Sequence, residues 1–152
     1  MAEQWAGTGP FSLGVYPKAQ VLNRFIAKFI DVIIVIAAGE IVAPVGWLAG
    51  LTYILIADGF SGGRSIGKRL IGLQTVIPRT QEASGFKESI IRNLPIALSY
   101  LFFPVPYIGW FAAAAILTLE GLLIIGNDQG LRLGDDFANT QVLDGGQLDL
   151  RD

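Results

Sequence analysis

The sequence predicts an all-α membrane protein: a polytopic bundle of four membrane helices, arranged as two hairpins, with an amphipathic helix at the membrane interface. Of its 152 residues, 52% are hydrophobic and 16% are charged, and the mean hydropathy is +0.53. Soluble domains carry about 25% charged residues. The apolar residues form blocks near residues 21–45, 46–60 and 94–126, which are long enough to lie in a bilayer.

The first two blocks predict the first hairpin. A helix is expected over residues 21–42, and a Pro-Gly turn at residues 43–46 separates it from a second helix over residues 46–60. The second block would span about 22 Å as a helix, whereas the hydrocarbon core is about 30 Å thick. This helix is therefore expected either to begin near Pro44 or to lie in a locally thinned bilayer.

A polar segment over residues 61–92 separates the two hairpins. Its residues 70–77 are strand-like. From Ser84 onwards, the apolar residues Phe86, Ile90 and Ile91 recur at helical spacing, with Ser84 as a candidate N-cap. This pattern predicts an amphipathic helix at the membrane interface.

The last apolar block predicts the second hairpin. Residues 94–126 are more than one span needs, and the prolines of the Phe103–Pro106 segment interrupt them. We expect a third helix that extends the interfacial helix and ends near Phe103, and a fourth from Tyr107 to Gly126. One long, bent third helix is the alternative.

The distribution of basic residues predicts the orientation. The turns near Pro44 and Pro104 contain no Lys or Arg, so four spans place all the basic residues on one side of the membrane. The positive-inside rule then puts the N-terminus, the polar segment and the C-terminal tail in the cytoplasm. The expected division is a tail over residues 1–17, a transmembrane domain over residues 18–144 and a tail over residues 145–152.

Several charged residues fall within the apolar blocks. Arg24, Lys28 and Asp31 share one face of the first helix, and Asp31 lies about 10 Å deeper than Arg24. An aspartate at that depth must be paired, protonated or hydrated. Asp58 and Glu120 are expected in the same half of the membrane, so the carboxylates predict a proton or cation site. The alternative is an ion pair of Asp31 with Lys28 or Arg24 that only fixes helix packing.

The composition excludes several classes of function. Without histidine or cysteine, a zinc or copper site and a His- or Cys-based catalytic centre are not expected. The pI near 5.0 argues against a nucleic-acid partner. We therefore expect no enzyme activity, no metal and no cofactor.

A glycine-rich segment has the spacing of a phosphate-binding loop. Gly62 to Lys68 fits the G-x-x-x-x-G-K pattern, but Arg69 stands where Ser or Thr would hold magnesium, and no βαβ unit surrounds it. The basic residues of this turn, Arg64, Lys68 and Arg69, are predicted to contact anionic lipid headgroups instead.

Four sequence blocks resemble the RDD family of membrane proteins: residues 24–31, 62–73, 89–93 and 132–142. The family takes its name from an arginine and two aspartates, which the resemblance maps onto Arg24, Asp31 and Asp135. Many members have a histidine before the last aspartate, where this chain has Gly134.

The resemblance also implies a location and a function. Some members are thought to exchange sodium or other monovalent cations for protons. We therefore expect a bacterial inner-membrane protein with a cytoplasmic-side cluster of Arg24, Asp31 and Asp135, completed by Asp58, Glu120 and Lys28, that exchanges a monovalent cation for a proton. The alternative is a non-transporting membrane subunit that binds a protein partner or anionic lipid. The small size of the bundle also favours a homo-oligomer.

Overall fold

The computed structural model describes residues 19–41, 45–80, 82–128 and 130–145. The predicted N-terminal tail, the residues around Pro44 and the chain after residue 145 lie outside these ranges. Six α-helices follow in chain order: α1 (Val21–Ile41), α2 (Val45–Ile56), α3 (Ile66–Ile71), α4 (Phe86–Phe102), α5 (Ile108–Gly126) and α6 (Leu133–Phe137). A short 3-10 turn, Ala57–Gly59, extends α2.

The four long helices agree with the predicted elements to within a few residues. The interfacial helix and the third helix are one continuous helix, α4, with Pro95 in its interior. A turn separates α4 from α5, so the alternative of a single long, bent helix is wrong. In the bundle, α1 packs against α2, α2 against α4, and α4 against α5.

A small sheet corrects the all-α expectation. The strands β1 (Leu73–Ile77), β2 (Glu82–Ala83) and β3 (Gln141–Asp144) form an antiparallel sheet in the order β2-β1-β3. The strand-like segment at residues 70–77 divides into the end of α3 and β1, because Gly72 adopts a left-handed conformation that ends the helix (φ 81°).

The sheet ties the end of the described chain to its beginning. Thr75 pairs with Val142 across β1 and β3, and the Ala19 N–H donates to the Val142 carbonyl. Ala19, Ala27, Leu73 and Val142 form a buried apolar cluster beneath these strands. The segment that carries Asp135 is therefore held against the start of α1.

The outer faces of the long helices are apolar and exposed. Phe29 on α1 is 66% exposed, and Phe111 on α5 is 78% exposed. A monomeric soluble protein rarely exposes an apolar surface of this extent. Among the described helices, α5 alone is long and apolar enough to span a membrane by length and composition.

Candidate functional site

Asp135 is the centre of a buried group of charged side chains at one end of the bundle. Its side chain is 0% exposed. Oδ2 lies 2.6 Å from Arg24 Nη2, and Oδ1 lies 2.7 Å from Arg92 Nη2 and 3.2 Å from Arg132 Nε. One carboxylate thus joins α1, α4 and the segment that leads into α6.

The single turn of α6 positions Asp135. The Arg132 N–H donates to Asp135 Oδ2 (3.5 Å) at the start of this helix. Gly134 faces α4, where a Cβ atom would collide with the Arg92 carbonyl oxygen. Glycine therefore allows α6 to lie directly on α4. This close contact occupies the space that a histidine before the aspartate would need.

The arginines keep Asp135 ionised. Burial would raise the pKa of Asp135, but Arg92, Arg132 and Arg24 outweigh it and hold that pKa below its ordinary value. The pKa of Arg132 is raised, because Asp135 and Glu120 outweigh the effect of burial on the guanidinium. Asp135 therefore acts as a fixed ionic partner over the physiological pH range.

A second ion pair joins the 3-10 turn to α3. Lys68 Nζ lies 2.7 Å from Asp58 Oδ2 and donates to Thr75 Oγ1 (2.9 Å). Asn93 Nδ2 donates to the same Asp58 oxygen (3.3 Å), and Arg92 Nε lies 3.6 Å from it. This carboxylate therefore connects α3 to α4.

The position of Lys68 corrects the expectation that it contacts lipid headgroups. Its side chain is 12% exposed and points inward to Asp58, because the short helix α3 packs against α1. Arg69, the next residue, is exposed, and Arg64 donates to Gln74 Oε1 (2.8 Å). Lipid contact at Arg64 and Arg69 stays a prediction.

The surroundings of Lys68 favour its neutral form. Burial lowers the pKa of Lys68, and the nearby charge of Arg92 lowers it further. The carboxylate of Asp58 raises the pKa only in part, so its value is about 7. Because arginine does not lose its proton in proteins, Lys68 is better suited than its guanidinium neighbours to release a proton near neutral pH.

Asp31 accepts hydrogen bonds from neutral groups. Oδ1 accepts from Tyr53 Oη (2.8 Å) and the Gly67 N–H (2.9 Å), and Oδ2 accepts from Ser65 Oγ (2.6 Å). In the described part of the chain Asp31 makes no ion pair, so the alternative that paired it with Lys28 or Arg24 is wrong.

The hydrogen bonds to Asp31 also show which anion the glycine-rich loop binds. The Asp31 carboxylate lies at the N-terminus of α3, which begins inside the segment Gly62 to Lys68. In a nucleotide-binding loop a phosphate would bind at this position. The chain itself supplies the anion at this loop.

Glu120 and Lys28 complete the group. The Gly134 N–H donates to Glu120 Oε1 (3.4 Å), and Arg132 Nε lies 3.6 Å from Oε2. Lys28 makes no hydrogen bond or ion pair with any residue in the described ranges. We call the following nine residues the charge cluster: Arg24, Lys28, Asp31, Asp58, Lys68, Arg92, Glu120, Arg132 and Asp135.

Two cavities meet at the charge cluster. The first has a volume of about 260 Å³ and lies among α1, α2, α4 and α5, with Lys28, Asp31 and Asp58 at its polar end. The second has a volume of about 100 Å³ and is lined mainly by cluster side chains, including Glu120 and Arg132. Lys28 and Asp31 line both cavities, so they form the boundary between them.

The structure brings together the six residues that the sequence proposed: Arg24, Lys28, Asp31, Asp58, Glu120 and Asp135. Three members of the charge cluster were not predicted as site residues: Arg92 and Arg132, which were counted only among the basic residues on the cytoplasmic side, and Lys68, which was predicted to contact lipid headgroups. A signal was present for Arg92, since it lies between Ile91 and Asn93 in one of the four blocks that resemble the family. Lys68 could not be distinguished by sequence from Arg69, the adjacent basic residue, although only Lys68 points inward.

Comparison with known proteins places the chain in a family. The model described as the RDD family matches residues 36–139, whereas no curated protein and no solved structure matches significantly. Arg24 and Asp31 precede the matched range, but Arg24 is joined to Asp135 within it by a direct ion pair. Because the match covers more than half of the chain, this protein belongs to the RDD family, which is a family of membrane proteins.

Proposed function

We propose that this protein exchanges a monovalent cation for a proton at the pair formed by Asp58 and Lys68. The observation that carries the proposal is that only one of the two Asp58 carboxylate oxygens has a partner among the described residues. Oδ2 pairs with Lys68, whereas the buried Oδ1 has no hydrogen-bond partner in the described part of the chain. Lys68, the partner of Asp58, lines the smaller cavity, whose charged lining gives a cation a place to enter.

The exchange follows from charge balance at one carboxylate. While Lys68 carries its proton, its ammonium group compensates the charge of Asp58. When Lys68 loses that proton, a buried carboxylate loses its nearest cation, which is unfavourable unless another cation replaces it. A monovalent cation restores the charge, so one cation is exchanged for one proton.

We further propose that the four long helices cross a bacterial inner membrane with the N-terminus in the cytoplasm. The length and apolarity of α5 and the exposed apolar faces of the other helices support this arrangement. The polar segment over residues 61–92 exposes the basic side chains of Arg69, Arg79 and Lys87, which favours the cytoplasmic side for this segment. The proposal gives the chain no catalytic chemistry and no cofactor.

Lys68→Arg is expected to abolish cation-driven proton movement in proteoliposomes. Arginine keeps the positive charge beside Asp58 but does not release a proton at physiological pH, so the cation cannot displace it. The measurement is the sodium- or potassium-driven pH change inside vesicles loaded with a pH-sensitive dye. Arg69→Lys, at the exposed neighbouring position, is the matched control and should retain native exchange. Native rates in Lys68→Arg would refute the role of Lys68.

The apparent cation affinity is expected to depend on pH in one direction. Because the proton and the cation compete, each pH unit below the Lys68 pKa of about 7 should weaken the apparent affinity about tenfold. Above this pKa the affinity should become independent of pH. Titrating exchange against cation concentration between pH 5.5 and 8.5 measures this slope, and a flat profile over that range would contradict competition at this lysine.

The second candidate function is a non-transporting membrane subunit. It is favoured by Asp135, whose contacts with Arg24, Arg92 and Arg132 tie three parts of the chain together. In this case Arg64 and Arg69 would contact anionic lipid headgroups or a protein partner, and the chain could also self-associate. Folded native protein that moves neither protons nor cations in vesicles would favour this function.

A further inference from the structure

The larger cavity has the size and lining of a site for a hydrocarbon chain. Its volume is about 260 Å³, and its walls are mostly apolar, including Val32, Ile54, Ala113 and Leu117. An apolar protein cavity of about 150 Å³ holds one benzene molecule, so by proportion this cavity holds about ten carbon atoms. Two acyl chains would not fit in that volume.

The polar end of the cavity carries Lys28, a basic side chain that pairs with none of the described residues. Lys28 makes no hydrogen bond or ion pair within the described residues, although it lines both cavities. Its side chain is half-buried, and Asp31 and Asp58 line the same cavity without pairing with it. An ammonium group that is partly removed from water gains from a directly paired counter-ion. Its three N–H donors also need acceptors, which a carboxylate can supply.

The charge cluster as a whole has a positive excess. Among the described residues it contains five basic side chains, Arg24, Lys28, Lys68, Arg92 and Arg132, and four carboxylates, Asp31, Asp58, Glu120 and Asp135. While both lysines are protonated, the excess is one positive charge, and a single anionic group would cancel it. It persists when a monovalent cation takes the place of the Lys68 proton, so it is separate from the proposed exchange.

We infer that this cavity binds a single-chain amphiphile with a carboxylate head group, of the fatty-acid class. The head group pairs with Lys28 at the boundary between the two cavities, and the hydrocarbon chain lies among α1, α2, α4 and α5. A zwitterionic lipid head group does not supply the net negative charge that the cluster lacks. This inference concerns a ligand and goes beyond the proposed exchange.

The first test compares head groups on one tail. Native protein in a neutral detergent is titrated at pH 6, where Lys68 keeps its proton, with decanoate, decanol and decyltrimethylammonium. The three ligands share a ten-carbon chain, and binding is followed by equilibrium dialysis of labelled ligand. Decanoate should bind at least tenfold more tightly than decanol, and the cationic amphiphile should bind weakest. Equal affinity for all three would overturn the inference, because any apolar groove would give that result.

Two variants locate the head group and the tail. Lys28→Gln should lose at least tenfold of the preference for decanoate over decanol, whereas Lys28→Arg should keep it. Ala113→Leu narrows the apolar cavity and should weaken both ligands equally, without changing the preference. If folded Lys28→Gln keeps the preference for decanoate over decanol, the decanoate carboxylate binds elsewhere and the site is refuted. If this variant does not fold, the comparison of head groups on the native protein decides.

One further variant separates this inference from the proposed exchange. Lys68→Arg keeps the positive charge of the cluster, so it should bind decanoate as the native protein does even though exchange is lost. Native decanoate binding without exchange would support the inference and refute only the exchange. Exchange by a native protein that shows no preference for decanoate would support the exchange and refute only this inference.

Discussion

Asp135→Asn is expected to lower the free energy of unfolding by about 3–5 kcal/mol, the cost of removing one partner of a buried ion pair. Asparagine has nearly the same shape, so the change removes charge and little volume. The guanidinium groups of Arg24, Arg92 and Arg132 would then remain buried without the carboxylate that they share. The loss should appear in thermal or denaturant unfolding of the detergent-solubilised protein.

The adjacent residue provides a matched control for this prediction. Asp136 is exposed, so Asp136→Asn makes the same chemical change one residue away. It should change the free energy of unfolding by no more than about 0.5 kcal/mol, as surface substitutions usually do. Equal stabilities for the two variants would mean that the arginines find other partners and that Asp135 does not hold the helices together.

The long helices could be predicted because they depend on local information. Apolar blocks and prolines set their bounds, and the structure ends α4 at Phe102 and begins α5 at Ile108, close to the predicted residues. The sheet could not be predicted in the same way. β3 has four residues and becomes a strand only by pairing with β1, which lies about seventy residues earlier in the chain.

Most residues of the candidate site could be predicted from the sequence, but the ion pairs that they form could not. Depth along a helix places Asp31, Asp58 and Glu120 at one end of the bundle, and this placement needs only spacing. Which cation meets which carboxylate depends on how helices turn about their axes and on contacts such as that of Arg24 with Asp135, 111 residues apart. For this reason the alternative that pairs Asp31 with a cation three or seven residues away is wrong, because Asp31 bonds instead to neutral groups of α2, α3 and the residue that caps α3.

Gly134→Ala is expected to destabilise the protein by about 3 kcal/mol, at the upper end of the range for overpacking. The added Cβ would collide with the backbone carbonyl of Arg92, which cannot rotate away as a flexible side chain could. Relief requires α6 to move from α4, and this movement would lengthen the ion pair between Asp135 and Arg92. Thermal unfolding measures the loss.

Gly126→Ala at the end of α5 is the control for this substitution, because no atom lies within 4 Å of the position that its Cβ would occupy. Alanine there should leave stability unchanged or raise it by up to about 1 kcal/mol. A double variant then tests the mechanism. If Gly134→Ala acts by separating Asp135 from Arg92, combining it with Asp135→Asn should cost clearly less than the two single losses together. Additive losses would show that the close approach of α6 and the ion pairs stabilise the fold independently.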